Sequence, residues 1–290
     1  MNTEIRPLPK FEYYAPQSLE EAILLLEQNS PWAKLIAGGT DLLPLMKKRM
    51  ILPRVLIDLS RIKEISFIDL RDSYLHIGAM TNLNEILGSE IVKEKAPILT
   101  EAISQLGCSG IRNRATIGGN LCNASPAADT APPLLVLNAS VRLRGPSGER
   151  SVPLTELFLG PGQTTLKPDV IMTEVIIPCK DGKSVFLKLG RRRGFTLSIV
   201  SAAVFAEIKQ GRFERISIAI GAAAPTPLRC YATESALEGK TVTPENIERA
   251  SLVVRNEVNP IDDVRASAAY RTEMASVLVK RALLKIAKEA

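Results

Sequence analysis

A chain of 290 residues can bury a core in more than one lobe, and 46% hydrophobic residues is the composition of a folded globular protein rather than a disordered one. Its 37 Lys and Arg are interleaved with 31 Asp and Glu to a net charge of +6, aromatics make up only 4%, and no zinc-finger or RNP-like pattern occurs, which argues against a nucleic-acid partner. A single histidine, His76, excludes a histidine-rich metal site and is the only residue on which a Ser-His-Asp triad could rest. Cys108, Cys122, Cys179 and Cys230 form no CxxC pair and read as reduced, core-type thiols. The opening MNTEIRPLPKFEYYAP lacks the apolar stretch of a secretory leader, and no run reaches the roughly 18 to 20 apolar residues of a membrane span, so the expected location is cytoplasmic.

The first predicted element is a helix over 17–30. Ser18 with Glu21 three residues later forms a capping box, and Leu19, Ala22, Ile23 and Leu26 share a stripe until Pro31 ends it. Leu35, Ile36 and Ala37 then read as a short strand, Gly38-Gly39-Thr40-Asp41 as a turn, and Leu42 to Arg49 as a short helix. Pro44 is tolerated near that helix start, where amides have no intrahelical acceptor. Val55 to Leu59 is the next strand. Ile65–Leu70 and Leu75–Ala79 form a hairpin about Arg71-Asp72-Ser73, with His76 in a structural role. Helices follow near 82–88 and 97–107, the latter with Ile98, Leu99, Ala102, Ile103 and Leu106 on one face.

Residues 111–138, IRNRATIGGNLCNASPAADTAPPLLVLN, hold a second glycine pair and almost no charge after Arg114. Gly118 and Gly119 permit a positive φ and a close approach of a ligand to the main chain. Thr116, Asn120, Asn123, Ser125 and Asp129 supply short polar groups, and Ser125-Pro126 reads as an N-cap and first helical residue, a helix start suited to an anion. Pro132 and Pro133 make that helix short or irregular. Neither glycine pair matches GxGxxG or GxxxxGK[ST], so a phosphate-like ligand is expected on a scaffold that is neither Rossmann nor P-loop.

Strands near 139–144 and 149–153 flank the turn Gly145-Pro146-Ser147-Gly148, and Val170 to Ile177 is a further strand before Pro178. Beyond it, Ser198–Lys209 and Arg215–Gly221 read as strands. Thr226-Pro227 and Thr243-Pro244 each read as an N-cap with proline at the first helical position, and Gly239 as a helix stop. A final helix spans about 266–289 with Tyr270, Met274, Val277 and Leu278 on one side. The expected organisation is a small α/β lobe over 1–57, a second lobe over 58–178 and a C-terminal domain over 179–290. No acid–base dyad, nucleophile or metal cluster is evident, so no catalytic or metal-ligating residue is predicted.

LIAGGTDLL (35–43) with ATIGGNLCNASPAADT (115–130), in this order, closely resembles the FAD-binding subunit of the molybdenum hydroxylases, the family of xanthine dehydrogenase and CO dehydrogenase. The resemblance continues through LKLGRRR (187–193), IGAAAPTPLR (220–229) and DVRASAAYR (263–271) and so covers nearly the whole chain. It implies an α+β fold: a two-lobed FAD-binding domain of the vanillyl-alcohol-oxidase-like type, then a C-terminal α+β domain with a small antiparallel sheet and helices.

By the same resemblance FAD is bound non-covalently. Its diphosphate would be held largely by backbone amides at Leu35, Ile36, Ala37, Gly38, Gly39, Thr40, Asp41 and Leu42 and at Thr116, Ile117, Gly118, Gly119 and Asn120. Asp129 matches another cofactor-contacting position, Leu106 a position beside the flavin, and Met172 and Lys188 positions near the isoalloxazine ring, where a cation stabilises a reduced flavin's negative charge. Arg191–Arg193 are assigned no role; a partner and an anionic acceptor are the alternatives for them.

The implied activity is oxidoreductase electron transfer within a heterotrimer or a dimer of heterotrimers. A molybdopterin large subunit oxidises substrate, an iron–sulfur small subunit carries electrons through two 2Fe–2S clusters, and this chain's FAD passes them to NAD, ferredoxin, quinone or oxygen. A family subgroup carries a cysteine-rich insertion for a further cluster; 120–135 runs through without one, so no cluster is expected in this chain. Two other readings are a stand-alone FAD-dependent oxidoreductase on the same scaffold, as in the reductase of peptidoglycan precursor synthesis, and a binding module that no longer uses flavin.

Overall fold

The computed structural model describes residues 7–192 and 194–289; Arg193 of the arginine run lies outside the described residues. The chain begins with β1 (Glu12–Tyr14), α1 (Leu19–Asn29), β2 (Ala33–Ile36), α2 (Leu42–Lys47) and β3 (Val55–Asp58), the strands pairing in parallel in the order β1-β3-β2. At the start of α1, the Ser18 side chain accepts from the Glu21 amide, while the Glu21 carboxylate reaches back to the Gln17 amide at 2.9 Å. Parallel neighbours need a crossover. Helix α1 provides it and buries Leu19, Ala22 and Leu26 against Val55 and Ile57 of the central strand. The chain leaves β2 at its C-terminal end, the end of parallel strands at which ligand-binding loops gather.

The middle of the chain comprises β4 (Ile68–Arg71), β5 (Tyr74–Gly78), α3 (Leu83–Gly88), α4 (Glu90–Lys95), α5 (Pro97–Ser104), α6 (Ser109–Arg112), α7 (Ile117–Cys122), α8 (Ala131–Val136), β6 (Ser140–Gly145), β7 (Gly148–Pro153), the short pair β8 (Phe158–Gly160) and β9 (Gln163–Thr164), and β10 (Ile171–Pro178). Five of these strands form an antiparallel sheet in the order β4-β5-β10-β6-β7. One face carries Leu75, Ile77, Val141, Leu143, Val175 and Ile177 into a core shared with α5, α7 and α8. On the other face His76 Nδ1 lies 3.1 Å from Glu174 Oε2, and Arg142 Nε lies 2.7 Å from Glu174 Oε1. A bulge between Met172 and Glu174 reverses the alternation, so Met172 enters the core while Glu174, two residues on, faces the ion network. The only histidine is thereby a cross-strand structural partner.

The remainder comprises β11 (Lys183–Gly190), β12 (Ser198–Lys209), β13 (Arg212–Gly221), β14 (Leu228–Arg229), α9 (Tyr231–Leu237), α10 (Pro244–Glu257) and α11 (Ala268–Glu289), with the strands antiparallel in chain order. Strand β12 is covered on both faces, which explains its unbroken apolar run. Val200, Ala202, Val204 and Ala206 pack with Ile247, Val254, Val279 and Leu283 of α10 and α11. Ala203 and Phe205, with Phe186 and Ala219, join the core of the middle segment instead.

Several local expectations are corrected here. No helix starts at Ser125: its hydroxyl and carbonyl accept from the Ala127 and Ala128 amides in a turn, and the Ala222 amide donates to Pro126 O at 2.7 Å, so the C-terminal sheet holds 125–130 as a loop until α8 begins at Ala131. Thr226-Pro227 opens no helix because Leu228 and Arg229 are drawn into pairing with β13, and α9 starts only at Tyr231. The Thr243-Pro244 start does form, the Thr243 side chain accepting from the Asn246 amide.

The buried stripe of α11 is Arg271, Ala275, Leu278, Val279, Ala282, Leu283 and Ile286, which leaves Tyr270 exposed. Arg271 orients that face by donating to Ile199 O at 2.7 Å and Ala222 O at 2.9 Å. Of the cysteines only Cys230 is fully buried. Cys108 and Cys122 are exposed, because they fall at the ends of the short helices α6 and α7, and all four are free thiols.

Candidate cofactor site

The two glycine segments meet in space. A Cβ built on Gly38 would lie 1.9 Å from the Arg114 carbonyl oxygen, and one built on Gly119 would lie 3.6 Å from the Ala37 Cβ. Only glycine at 38 lets the turn after β2 seat on the backbone that leads into α7. Gly39 follows with φ of 72°, a conformation glycine adopts without penalty. The amides of Gly39, Thr40 and Asp41 meet no acceptor among the described residues, while Leu35 to Thr40 and Leu42 are half-buried and Asp41 is exposed.

The second glycine pair works differently from its reading as a turn. Gly118 and Gly119 lie inside α7 without positive φ, and Thr116 caps the helix by accepting from the Gly119 amide at 3.1 Å. The other first-turn amides are engaged too: Ile117 with Thr81 O, Gly118 with Ala79 O and Asn120 with Thr116 O. Glycine at 118 serves proximity, since a Cβ there would lie 2.7 Å from the Ala79 Cβ. Asn120 Oδ1 accepts from the Thr130 hydroxyl at 2.6 Å, so its amide NH2 points elsewhere without an acceptor among the described residues.

That bond links α7 to a second group. Lys188 Nζ donates to Asp129 Oδ2 at 2.6 Å and to Gln105 O at 3.1 Å, and Ser198 Oγ donates to the other Asp129 oxygen at 2.5 Å. Burial raises the Asp129 carboxyl above the ordinary carboxylate pKa, opposed by the Lys188 ammonium and the Ser198 hydroxyl. Lys188 lines a cleft of about 410 Å3 with Gln105, Leu189, Gly190, Arg192 and Thr196, within the size range of small-molecule sites. The glycine turns contribute nothing to this lining. Leu106 is half-buried next to Gln105, whereas Met172 is buried in the core that also holds Ile117 and Leu121.

Ser198, Gln105 and Thr130 carried no warning in the sequence. A strand-opening serine, a carbonyl and a threonine before a proline pair are common in any fold, and only pairing across separate elements brings them to Asp129, Lys188 and Asn120.

An α+β scaffold with open amides at a glycine turn and a buried lysine–carboxylate pair beside a cleft offers N–H donors to an anionic ligand. The sequence profile described as "FAD binding domain in molybdopterin dehydrogenase" matches residues 9–180, and that described as "CO dehydrogenase flavoprotein C-terminal domain" matches residues 185–286. The chain is 38% identical to the carbon monoxide dehydrogenase medium chain of Hydrogenophaga pseudoflava over 277 residues, covering 95% of this chain and 96% of that one. It is 34% identical to the glyceraldehyde dehydrogenase medium chain of Sulfolobus acidocaldarius over 280 residues, covering 96% and 99%.

Among solved structures, carbon monoxide dehydrogenase from Hydrogenophaga pseudoflava superposes with a TM-score of 0.95 at 38% identity, covering 98% of this chain and 99% of that one. Quinoline 2-oxidoreductase from Pseudomonas putida 86 gives 0.93 at 30% identity, covering 98% and 99%. The chain therefore belongs to the FAD-binding subunits of the molybdenum hydroxylase family, flavoprotein subunits of multi-subunit oxidoreductases. Among the described residues no helix is long and apolar enough to cross a membrane.

Proposed function

We propose that this chain holds FAD non-covalently between the Gly38-Gly39 turn and the Lys188–Asp129 pair. It would take electrons from a small subunit with two 2Fe–2S clusters and pass them to an external acceptor. The supporting observation is the convergence of both glycine segments, Gly38 seated on Arg114 and Gly119 against Ala37. In this reading the unengaged amides of Gly39 to Asp41 hold the diphosphate, joined by the Asn120 amide NH2. Leu35, Ile36, Ala37 and Leu42 shape the seat, and Thr116, Ile117, Gly118 and Gly119 bring α7 close enough to close it.

When bound, FAD supplies the capacity to take electrons singly and release a pair. The protein's part is position and charge. Lys188 has three N–H donors, two of them engaged by Asp129 and Gln105, which leaves one for the cleft it lines. Asp129 and Ser198 hold that ammonium in place, and Leu106 and Met172 bound the site with apolar surface.

The partners proposed are an iron–sulfur small subunit and a molybdopterin large subunit, in a heterotrimer or a dimer of heterotrimers in the cytoplasm. Residues 1–57, 58–178 and 179–290 act as the two lobes of the FAD unit and a domain that closes on them. Cofactor analysis of the complex captured through this chain tests the reading. FAD, iron and molybdenum in fixed proportion are expected; a complex devoid of flavin would overturn it.

A further inference from the structure

Helix α8 starts without a side-chain cap, although a threonine stands at its N-cap position. The proline pair explains this. A capping hydroxyl accepts from the amide of the second or third helical residue. Those residues are Pro132 and Pro133, which have no N–H to give. The Thr130 hydroxyl is thereby released from its own helix, in a residue that is fully buried. It donates instead to α7, to Asn120 Oδ1 at 2.6 Å.

We propose that Thr130 is a positioning residue: it turns the Asn120 amide so that the NH2 end, and not the carbonyl, meets the diphosphate of FAD. The proposal rests on the flavin reading above. One end of a side-chain amide only accepts and the other only donates, and its bonding partners decide which way it faces. With Oδ1 drawn to a buried hydroxyl that needs an acceptor, the NH2 is left on the other side of a half-buried residue. The residue before it, Gly119, stands against Ala37, directly before the Gly38-Gly39 turn with its open amides. The opposite orientation would aim a carbonyl oxygen at phosphate oxygens, acceptor against acceptor.

Thr130 is itself held from the C-terminal sheet. Its neighbour Asp129 is gripped by Lys188 at 2.6 Å and Ser198 at 2.5 Å, and the Ala222 amide donates to Pro126 O at 2.7 Å in the same loop. Two adjacent side chains of this loop thus serve opposite directions. Asp129 reaches the lysine of the cleft, and Thr130 reaches the helix that carries Asn120.

The test follows FAD release from the purified complex after dilution into flavin-free buffer, read by the fluorescence of the freed flavin, together with the flavin midpoint potential. Thr130→Val keeps the side-chain volume but removes the donor. It should speed release about tenfold, the worth of one hydrogen bond to a charged group, with the potential unchanged because Lys188 and Asp129 keep their contacts. Thr130→Ser restores the hydroxyl and should release FAD within about twofold of the wild-type rate. In an Asn120→Ala background Thr130→Val should add no further acceleration, since it acts through that amide. Asn120→Asp keeps an acceptor for Thr130 but loses both NH2 donors, and should release FAD faster than Asn120→Ala. That variant leaves Thr130 in place and carries the test should Thr130→Val fail to fold. Wild-type release from Thr130→Val, an equal acceleration in the Asn120→Ala background, or retention of FAD by Asn120→Asp would each overturn the role of Thr130 and leave the flavin reading standing. A wild-type complex without FAD would overturn the flavin reading and this role with it.

Discussion

The Lys188 ammonium and the Asp129 carboxylate meet at 2.6 Å with side chains only 4% and 5% exposed, although 59 residues separate them. Lys188 comes from the first strand of the C-terminal sheet and Asp129 from the loop after α7, so this pair exists only when the two parts of the chain are docked. A buried ion pair adds little net stability over an apolar replacement, but removing one member leaves the other uncompensated.

Lys188→Met and Asp129→Asn should therefore each cost about 3–5 kcal/mol, lowering the melting temperature by on the order of 10 °C. In Lys188→Met the Asp129 carboxyl, already raised by burial, loses the cation that opposes the rise and is driven toward its protonated form. Thermal unfolding of both single variants and the double variant checks this. A double variant less damaged than the sum of the singles is expected, since neither leaves a buried charge behind once both are gone.

Gly38→Ala should abolish flavin retention, because its methyl would overlap the Arg114 carbonyl and push the turn away from α7. Gly88→Ala is the matched control: nothing lies within 4 Å of the added atom, and the site is helical. It should keep flavin and change stability by no more than about 1 kcal/mol. Flavin absorbance per chain after gel filtration is the measurement.

Arg229 joins the C-terminal sheet to the end of α8. Its Nη1 donates to Leu135 O at 2.9 Å and Asn138 Oδ1 at 2.6 Å, while Nε and Nη2 grip Glu234 at 2.7 and 2.8 Å. Arg229→Leu should destabilise by about 3–5 kcal/mol through the stranded Glu234, and Arg229→Lys should rescue little, because an ammonium cannot reproduce the fork. Urea midpoints of the two variants decide the point.

Asp263 sets an acid limit. Desolvation is the largest single influence on it and would raise its pKa. The combined hydrogen bonds from Arg265, through side chain and backbone, and from Arg271 outweigh this and hold the carboxyl well below the usual carboxylate range. A folded pKa depressed below the unfolded value contributes stability that is present above pH of about 4 and lost as pH falls below it. Urea midpoints between neutral pH and acid should fall less steeply below that point in Asp263→Asn, whose stability no longer includes this proton.

Local chemistry was legible wherever a few neighbouring residues suffice. The Ser18–Glu21 start of α1, the Arg71–Tyr74 turn with Asp72 and Ser73 at positive φ, and the Thr243-Pro244 start of α10 all follow from their own side chains. The same cues misled at Ser125-Pro126 and Thr226-Pro227, where Ala222 claims the Pro126 carbonyl and β13 claims Leu228. Strand β11 was legible only as a motif, because its polar and glycine residues hide the alternation that pairing with β12 reveals.

By itself the sequence determined the Gly38-Gly39 turn, which runs are apolar enough to be buried, and, through the two motifs in order, the family. Only the tertiary structure decided that the two glycine pairs play unequal parts, the first leaving its amides open and the second engaging them with Ala79, Thr81 and Thr116. It also decided that Ser198 and Gln105 hold Lys188 and Asp129 together. The physical reason is one of range. A turn or a cap is settled by side chains a few residues apart, whereas the acceptor that an amide or an ammonium finds is settled by strands and helices distant in the chain, which meet only when their apolar faces are buried together.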